Sequence, residues 1–347
     1  MNYLRTRKKN SLLGWHDNSR GYFYSHGILL ITGEYLILQG ARGFALPTRK
    51  GQCLQWKRKD ESRILNWKTM INGRVWFQAT YEDKDYSIVS CNNKQTAAFL
   101  RNILLKANEL SGREPVYGSI NSILDFEIRW GLGSSSTLIV NIARLFDLNP
   151  FVLYFALSNG SGYDVACARS GSPIIYRLEY QSDDYTRKMA LRTEPGSFPV
   201  PVYSAVDFDP PFKDKLFFAW TGKKQDPSAE TARFHSGNPA DDIYLKEISN
   251  ITEDIVRTAD ISEFNLLLSE HDRLISELLG EKPVNETLFK DLGGYVKSLG
   301  TWDGGFVMIT WEGSIDKLRQ KLKPKGIDTI FSFDDMIYIT DEVDSRF

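Results

Sequence analysis

Eight consecutive residues, Trp130-Gly131-Leu132-Gly133-Ser134-Ser135-Ser136-Thr137, set two glycines ahead of four hydroxyl side chains. Glycine leaves backbone amides open to close approach, and a helix starting there adds unpaired N–H groups and a positive dipole end. Such a turn cradles an anion, and its hydroxyls can reach a phosphate-bound Mg²⁺. No lysine follows the second glycine, so this is not the Gly-x-x-x-x-Gly-Lys-Ser/Thr phosphate loop. A plain glycine turn before a serine-capped helix would use the same residues. Asp164 is a second candidate, within Asn159-Gly160-Ser161-Gly162-Tyr163-Asp164-Val165-Ala166. Small residues let this loop pass close to a ligand, yet an Asp near a helix start also serves as an ordinary cap. Glu34 stands at the glycine break of Gly27–Leu38, an acid at a turn in an apolar β segment. Lys223 and Lys224 could face an anionic substrate or simply solvent, and His271 sits in an apolar helical stripe as a core-edge residue or one near the ligand.

The elements around these residues follow from periodicity. Val116–Ile128 reads as extended, and Leu138, Ile142, Leu145 and Phe146 recur at helical spacing after the glycine turn. Gly27–Leu38 predicts a buried strand, a break and a second apolar piece, closed by Gly43–Thr48. Short strands are predicted at 52–56, 75–80, 86–90, 172–176 and 215–220, and a long one at 327–339. Helices are predicted at 94–110, 151–157, 228–248, 262–279, 284–299 and 315–322.

A chain of 347 residues suggests two domains. Residues 181–201, with Ser-Asp-Asp, Glu-Pro-Gly and Phe-Pro, predict the junction, giving a peripheral basic arm at 1–20, an N-terminal domain at 21–190 and a C-terminal domain at 191–347. A formal net charge of −1 gives no reason to expect nucleic acid or an anionic membrane as partner. No apolar run approaches the roughly 20 residues that span a bilayer, and the arm's apolar part is too short for a signal peptide. Cys53, Cys91 and Cys167 show no paired spacing, which favours a reducing cytoplasm, and four scattered histidines make no metal-ligand pattern.

Gly131-Leu132-Gly133-Ser134-Ser135 resembles the heart of the second motif of the GHMP kinases, Pro-x-x-x-Gly-Leu-Gly-Ser-Ser-Ala, with Glu127 where the motif has Pro. Gly27, Gly33, Glu34 and Tyr35 match their first motif, Pro-Gly-Lys-(apolar)₃-x-Gly-Glu-(Tyr/His), while His26 and Ile28 replace its Pro and Lys. Gly162, Asp164 and Ala166 match the Gly-x-Asp-x-Ala of mevalonate and phosphomevalonate kinases, and Gly-Tyr-Asp-Val-Ala is similar to a subgroup marked Gly-Tyr-Asp-Ile-Ala. Lys297–Val307 resembles the third motif, Lys-x-x-Gly-Ala-Gly-x-Gly-Gly, through Gly300, Gly304 and Gly305, with Trp302 replacing a small residue. Trp220-Thr221-Gly222 looks like a substrate-side loop of phosphomevalonate kinases. The resemblance covers about residues 21–339.

It implies an α+β fold of the GHMP kind, with a ribosomal-S5-like N-terminal domain binding ATP and a ferredoxin-like C-terminal domain. The reaction implied is direct phosphoryl transfer from ATP·Mg²⁺ to a hydroxyl of a small-molecule alcohol, mevalonate first and phosphomevalonate second, on the route to isoprenoids. Gly131, Leu132, Gly133, Ser134, Ser135 and Ser136 would hold the phosphates, and Ser135 and Glu34 would arrange the metal region. Asp164, assisted by Glu34, would take the hydroxyl proton, and Gly300, Gly304 and Gly305 would close over the substrate. A monomer or homodimer is expected. In this family the first-motif Lys activates the hydroxyl, so Ile28 raises a competing reading, a non-catalytic nucleotide-binding protein. A diphosphomevalonate decarboxylase is a third.

Overall fold

The structure, a computed structural model, describes residues 14–17, 19–59, 63–180, 199–223, 240–302 and 305–339. The chain forms two compact units. The first holds the chain through Gly27, Lys50–Glu127 and Gly133–Arg169; the second holds Ile28–Arg49, Ile128–Leu132 and the chain from Ser170. Strands β2 (Arg20–Thr32) and β3 (Gly43–Lys57) run from one unit into the other.

In the first unit β1 (Gly14–His16) leads a sheet through β2, β3, β7 (Gly118–Leu124), β4 (Ile64–Ile71), β5 (Arg74–Glu82) and β6 (Ser87–Cys91), in that order. β4 lies parallel to β7, while β3 with β7, β4 with β5 and β5 with β6 pair antiparallel. Helix α1 (Lys94–Ser111) buries Leu100, Ile103, Leu104 and Ala107, the face that its sequence predicts. Fully burying each larger apolar side chain is worth roughly 1.5–3 kcal/mol, enough to fix its orientation. It begins where Asn93 accepts from the Thr96 amide and ends at Gly112 with φ 60°. Helices α2 (Ser134–Leu145), α3 (Pro150–Phe155) and α4 (Tyr163–Ser170) follow β7.

In the second unit β8 (Ile174–Glu179) pairs with the opening residues of β3 and with β9 (Val200–Ala205). A four-stranded antiparallel sheet runs β11 (Val296–Ser298), β12 (Phe306–Thr310), β10 (Leu216–Trp220), β13 (Thr329–Ser332). Phe217, Ala219, Val307 and Ile309 pack with Phe289, Leu318 and Leu322 in its core, the last two from α7 (Ile315–Leu322). Helices α5 (Asp242–Arg257) and α6 (Ile261–Leu279) and the short α8 (Phe333–Met336) complete the unit. The α+β expectation holds.

Several predicted elements differ. No helix spans 284–299: the chain turns through this region and then forms β11. Gly293 adopts φ 87°, and a Cβ on Gly294 would lie 1.9 Å from Thr310 O, so close strand approach prevails over helical periodicity. The strand expected at 327–339 stops at Ser332, whose hydroxyl accepts from the Asp335 amide and starts α8. The helix expected at 228–248 begins at Asp242 with Asp241 as its cap, and residues 224–239 lie outside the described residues. β4 was not expected, although Leu65, Trp67, Thr69 and Ile71 alternate inward along it. The second apolar piece, whose type the sequence left open, forms a buried 3-10 turn at Leu36–Gln39. Of the expected basic arm, Gly14–His16 pairs with β2 and residues 1–13 lie outside the described residues.

Candidate active site

The glycine-rich turn is built by two left-handed residues. Ile128–Trp130 makes one 3-10 turn, then Gly131 and Gly133 take φ 73° and 75°, a region that disfavours side chains. Gly133 is the N-cap of α2 and supplies no side-chain cap. The first-turn amides of α2 therefore have no intrahelical carbonyl and no capping side chain. Ser135 and Gly131 are exposed, Gly133 and Ser134 half-buried, and Leu132 and Ser136 buried. In the second unit, the Ile28 amide donates to Leu132 O at 3.2 Å, which ties β2 to the turn.

A buried polar seam fixes α2 on the sheet of the first unit. The Thr137 hydroxyl donates to Gln52 Oε1 at 2.6 Å, and Gln52 Nε2 donates to Ser122 Oγ at 2.7 Å. Asn141 Nδ2 donates to the Gln52 carbonyl at 2.9 Å and Ser25 Oγ to Asn141 Oδ1 at 2.8 Å. Each such bond is worth about 0.5–1.5 kcal/mol net, but leaving one of these buried groups unpaired costs more. The seam thus sets the azimuth of the helix and the direction of its first turn.

Asp164 meets that first turn. The Ser136 hydroxyl donates a short hydrogen bond to Asp164 Oδ2, and Oδ1 accepts from the Val165 amide at 2.9 Å. Gly162, at φ 80°, bends the chain into α4 so that Asp164 lies in its first turn. Burial pushes the Asp164 carboxyl above the ordinary carboxylate range, against the Ser136 and Val165 donors that favour its charged form. A carboxylate so raised is a stronger base. Cys167, one turn on, is fully buried, and burial followed by the nearby Asp164 charge pushes its thiol well up, which makes it a poor nucleophile.

Glu34 occupies a different environment, inside the second unit. Its Oε1 accepts from Lys297 Nζ at 2.8 Å, and Lys297 also donates to Asp272 Oδ1 at 2.9 Å. His271 Nε2 lies 3.1 Å from Glu34 Oε2 and accepts from the Gly33 amide. Tyr35, the next residue, accepts at its hydroxyl from the Trp302 amide at 2.9 Å. Gly33, Glu34 and Tyr35 are thus each bonded to a residue far along the chain. All four charged or titratable groups are buried. Burial raises the Glu34 and Asp272 carboxyls, but Lys297 and then His271 outweigh it, and both end below their ordinary values. For Lys297, burial pulls the ammonium down while Asp272 and Glu34 more than restore it. Gly33 is obligatory here: at φ 89°, a Cβ would lie 2.7 Å from Gly43 Cα.

Gly300, at φ 76°, and Gly305 belong to the connection between β11 and β12; Gly304 lies outside the described residues. Trp302 in that connection is buried, with its carbonyl accepting from Ser298 Oγ at 3.1 Å. Lys223 is exposed and Lys224 lies outside the described residues. Sequence reasoning missed Asp272 and the pairing of Lys297. Their signals were a carboxylate within the apolar stripe of α6 and the lysine that opens the third motif.

No protein-family model and no curated protein sequence matches the chain. Solved structures do. The phosphomevalonate kinase of Streptococcus pneumoniae, in complex with phosphomevalonate and AMPPNP, superposes with a TM-score of 0.64 at 16% identity, over 90% of this chain and 99% of that one. The chain has the GHMP kinase fold. The L. major mevalonate kinase in complex with R-mevalonate gives a TM-score of 0.58 at 15% identity, covering 92% of this chain and 96% of that one. Lactococcus lactis galactokinase complexed with galactose gives 0.58 at 13%, covering 93% and 94%. On this GHMP fold the glycine turn and Asp164 are brought together through Ser136, whereas Glu34 is bonded to Lys297 and lies beside His271.

Proposed function

We propose that the protein is an ATP-dependent small-molecule kinase that phosphorylates an alcohol, mevalonate first and phosphomevalonate second. The observation that carries this is the junction of Ser136 and Asp164 at an uncapped helix start. The amides of Gly131 to Ser136 bind phosphate oxygens, and the positive end of α2 favours their charge. Asp164, raised by burial and aimed by the Ser136 and Val165 donors, takes the proton of the substrate hydroxyl at a carboxylate oxygen. Among the described residues no group of three His, Cys, Asp or Glu could hold a metal ion. The Mg²⁺ of the proposal is carried by nucleotide phosphates with the exposed Ser135 hydroxyl as the protein's contribution, since Mg²⁺ commonly keeps substrate phosphates and waters as ligands; Glu34, also expected in the metal region, is instead buried against Lys297. A Mg²⁺ held at Ser135 would supply charge neutralisation for the transferring phosphoryl group. Glu34 serves by holding Gly33 to Tyr35 in place through Lys297, and the third-motif glycines Gly300, Gly304 and Gly305 are proposed as the substrate contacts. The described cysteines are free, which suits a reducing cytoplasm. No described helix is long and apolar enough to cross a membrane.

Ile28 supports a second reading, a nucleotide-binding protein without turnover. It is 4% exposed, and its apolar side chain can offer no charge to a phosphate. One experiment separates the two: ADP release measured with mevalonate, phosphomevalonate, homoserine and galactose in turn, beside calorimetric binding of an ATP analogue. Alcohol-dependent ADP supports the kinase. Binding without ADP from any of them supports the second reading, and absence of nucleotide binding overturns both.

A further inference from the structure

The solvent-facing side of the sheet in the first unit carries another constellation, which phosphoryl transfer does not use. It lines a concavity of about 520 Å³, a size suited to a small organic ligand. Side chains alternate along a strand, so β4 sends Leu65 and Trp67 into the core and leaves Asn66 and Lys68 on the open face. The strand registers then assemble two rows. Asn66 pairs with Ser119 on β7 and Thr80 on β5, and Thr80 pairs with Ser90 on β6. Lys68 pairs with Asn121 on β7 and Gln78 on β5, and the Gln78 amide donates to Asn92 Oδ1 at 3.0 Å.

The rows hold neutral hydrogen-bonding groups around one ammonium, and no carboxylate. Asn is depleted in strands, so Asn66 and Asn121 in mid-strand oppose local propensity without adding to the core. Their orientation is partly set. Thr80 Oγ1 donates to Asn66 Oδ1 at 3.1 Å, which turns the Asn66 amide nitrogen outward on the strand that bears Lys68. Asn92 Nδ2 donates to Trp76 O at 3.2 Å and closes the end of its row. The side chains of Lys68, Gln78 and Asn121 have no partner among the described residues.

Carboxamides and hydroxyls both donate and accept, as do the hydroxyls of a polyol. An apolar ligand would leave them unpaired, and a nucleic acid would need a run of cations where the only cation lining the concavity, among the described residues, is Lys68, with Lys57 of β3 next to Ser119. The outward donors of Asn66 and Lys68 favour a negative group between them. We propose that this face binds a small polyhydroxylated anion, a sugar phosphate or a sugar acid. Its charged group lies on Lys68 and Asn66, and its hydroxyls on Gln78 and Asn121.

The test is calorimetric titration of the full chain with glucose 6-phosphate, glucuronate, glucose and inorganic phosphate, repeated in Lys68→Met, Asn121→Asp and Gly133→Val. Saturable binding of glucose 6-phosphate or glucuronate is expected, and which of the two binds tells phosphate from carboxylate. Lys68→Met weakens it about tenfold, the weight of one charge-assisted hydrogen bond, and Asn121→Asp weakens it further by repulsion. Gly133→Val, which disables the nucleotide turn, leaves it unchanged, so this result stands whether or not the kinase reading does. Three outcomes overturn the proposal. They are no binding of either sugar anion, inorganic phosphate binding as well as the sugar phosphate, and binding lost in Gly133→Val but kept in Lys68→Met.

Discussion

Replacing Asp164 by Asn removes one charge and keeps the shape. Its carbonyl can still accept from Val165, and its amide can donate to Ser136 Oγ, so both observed contacts survive. If Asp164 is the base, kcat falls by roughly 10²- to 10⁴-fold, about 3–5 kcal/mol of barrier, with ATP binding retained. Stability moves the other way. The folded-state carboxyl lies above its unfolded value, so its favourable contribution is present below the unfolded pKa and is lost as pH rises through the folded one. At neutral pH ionised Asp164 is therefore a cost to folding, which Asn removes. The variant should melt no lower than wild type at neutral pH. In wild type kcat/KM should fall on acidification through a pKa above the ordinary carboxylate range, and the residual activity of the variant should lack that limb. Steady-state ADP release across pH, calorimetry with an ATP analogue and thermal melts supply the three readouts. Unchanged turnover with a lowered melting point would refute the reasoning and make Asp164 a helix cap.

Gly133→Val forces a β-branched residue to φ near 75° and places a side chain over the amides, so ATP-analogue binding should be lost by calorimetry while circular dichroism stays near wild type. Lys297→Met leaves Glu34 and Asp272 buried without their cation and should cost about 3–5 kcal/mol in urea unfolding; adding Glu34→Gln and Asp272→Asn should recover part of it. Because both carboxyls are held below their unfolded values, their contribution is present above the unfolded pKa and lost as pH falls through the folded one, so wild type should lose stability in acid more steeply than the triple variant. Ile28→Lys buries an ammonium on a strand bonded to the turn, so it should lower the melting point without nucleotide and gain more from ATP·Mg²⁺ than wild type, with raised kcat. Equal nucleotide shifts in the two proteins would show that position 28 does not reach the phosphates.

What the sequence determined by itself was local. Gly131 and Gly133 followed by serines mark a glycine turn feeding a helix, because glycine permits the left-handed backbone that such a turn uses, while the absence of a side-chain cap at the helix start was decided by the folded structure. The inward face of α1 and the stripe of α6 were equally legible, since periodicity is a property of neighbours in sequence. The fate of Glu34 was not. Its position at a glycine break says nothing of Lys297, 263 residues on, or of Asp272, and only folding brings those charges together. The region 284–299 failed for the same reason: helical spacing was overridden by the pairing of β11 with β12, an interaction between segments that no local pattern encodes. Asp164 lies between these cases. Its place near a helix start could be read from its neighbours, but its raised pKa and its bond from Ser136 come from enclosure, which tertiary packing supplies.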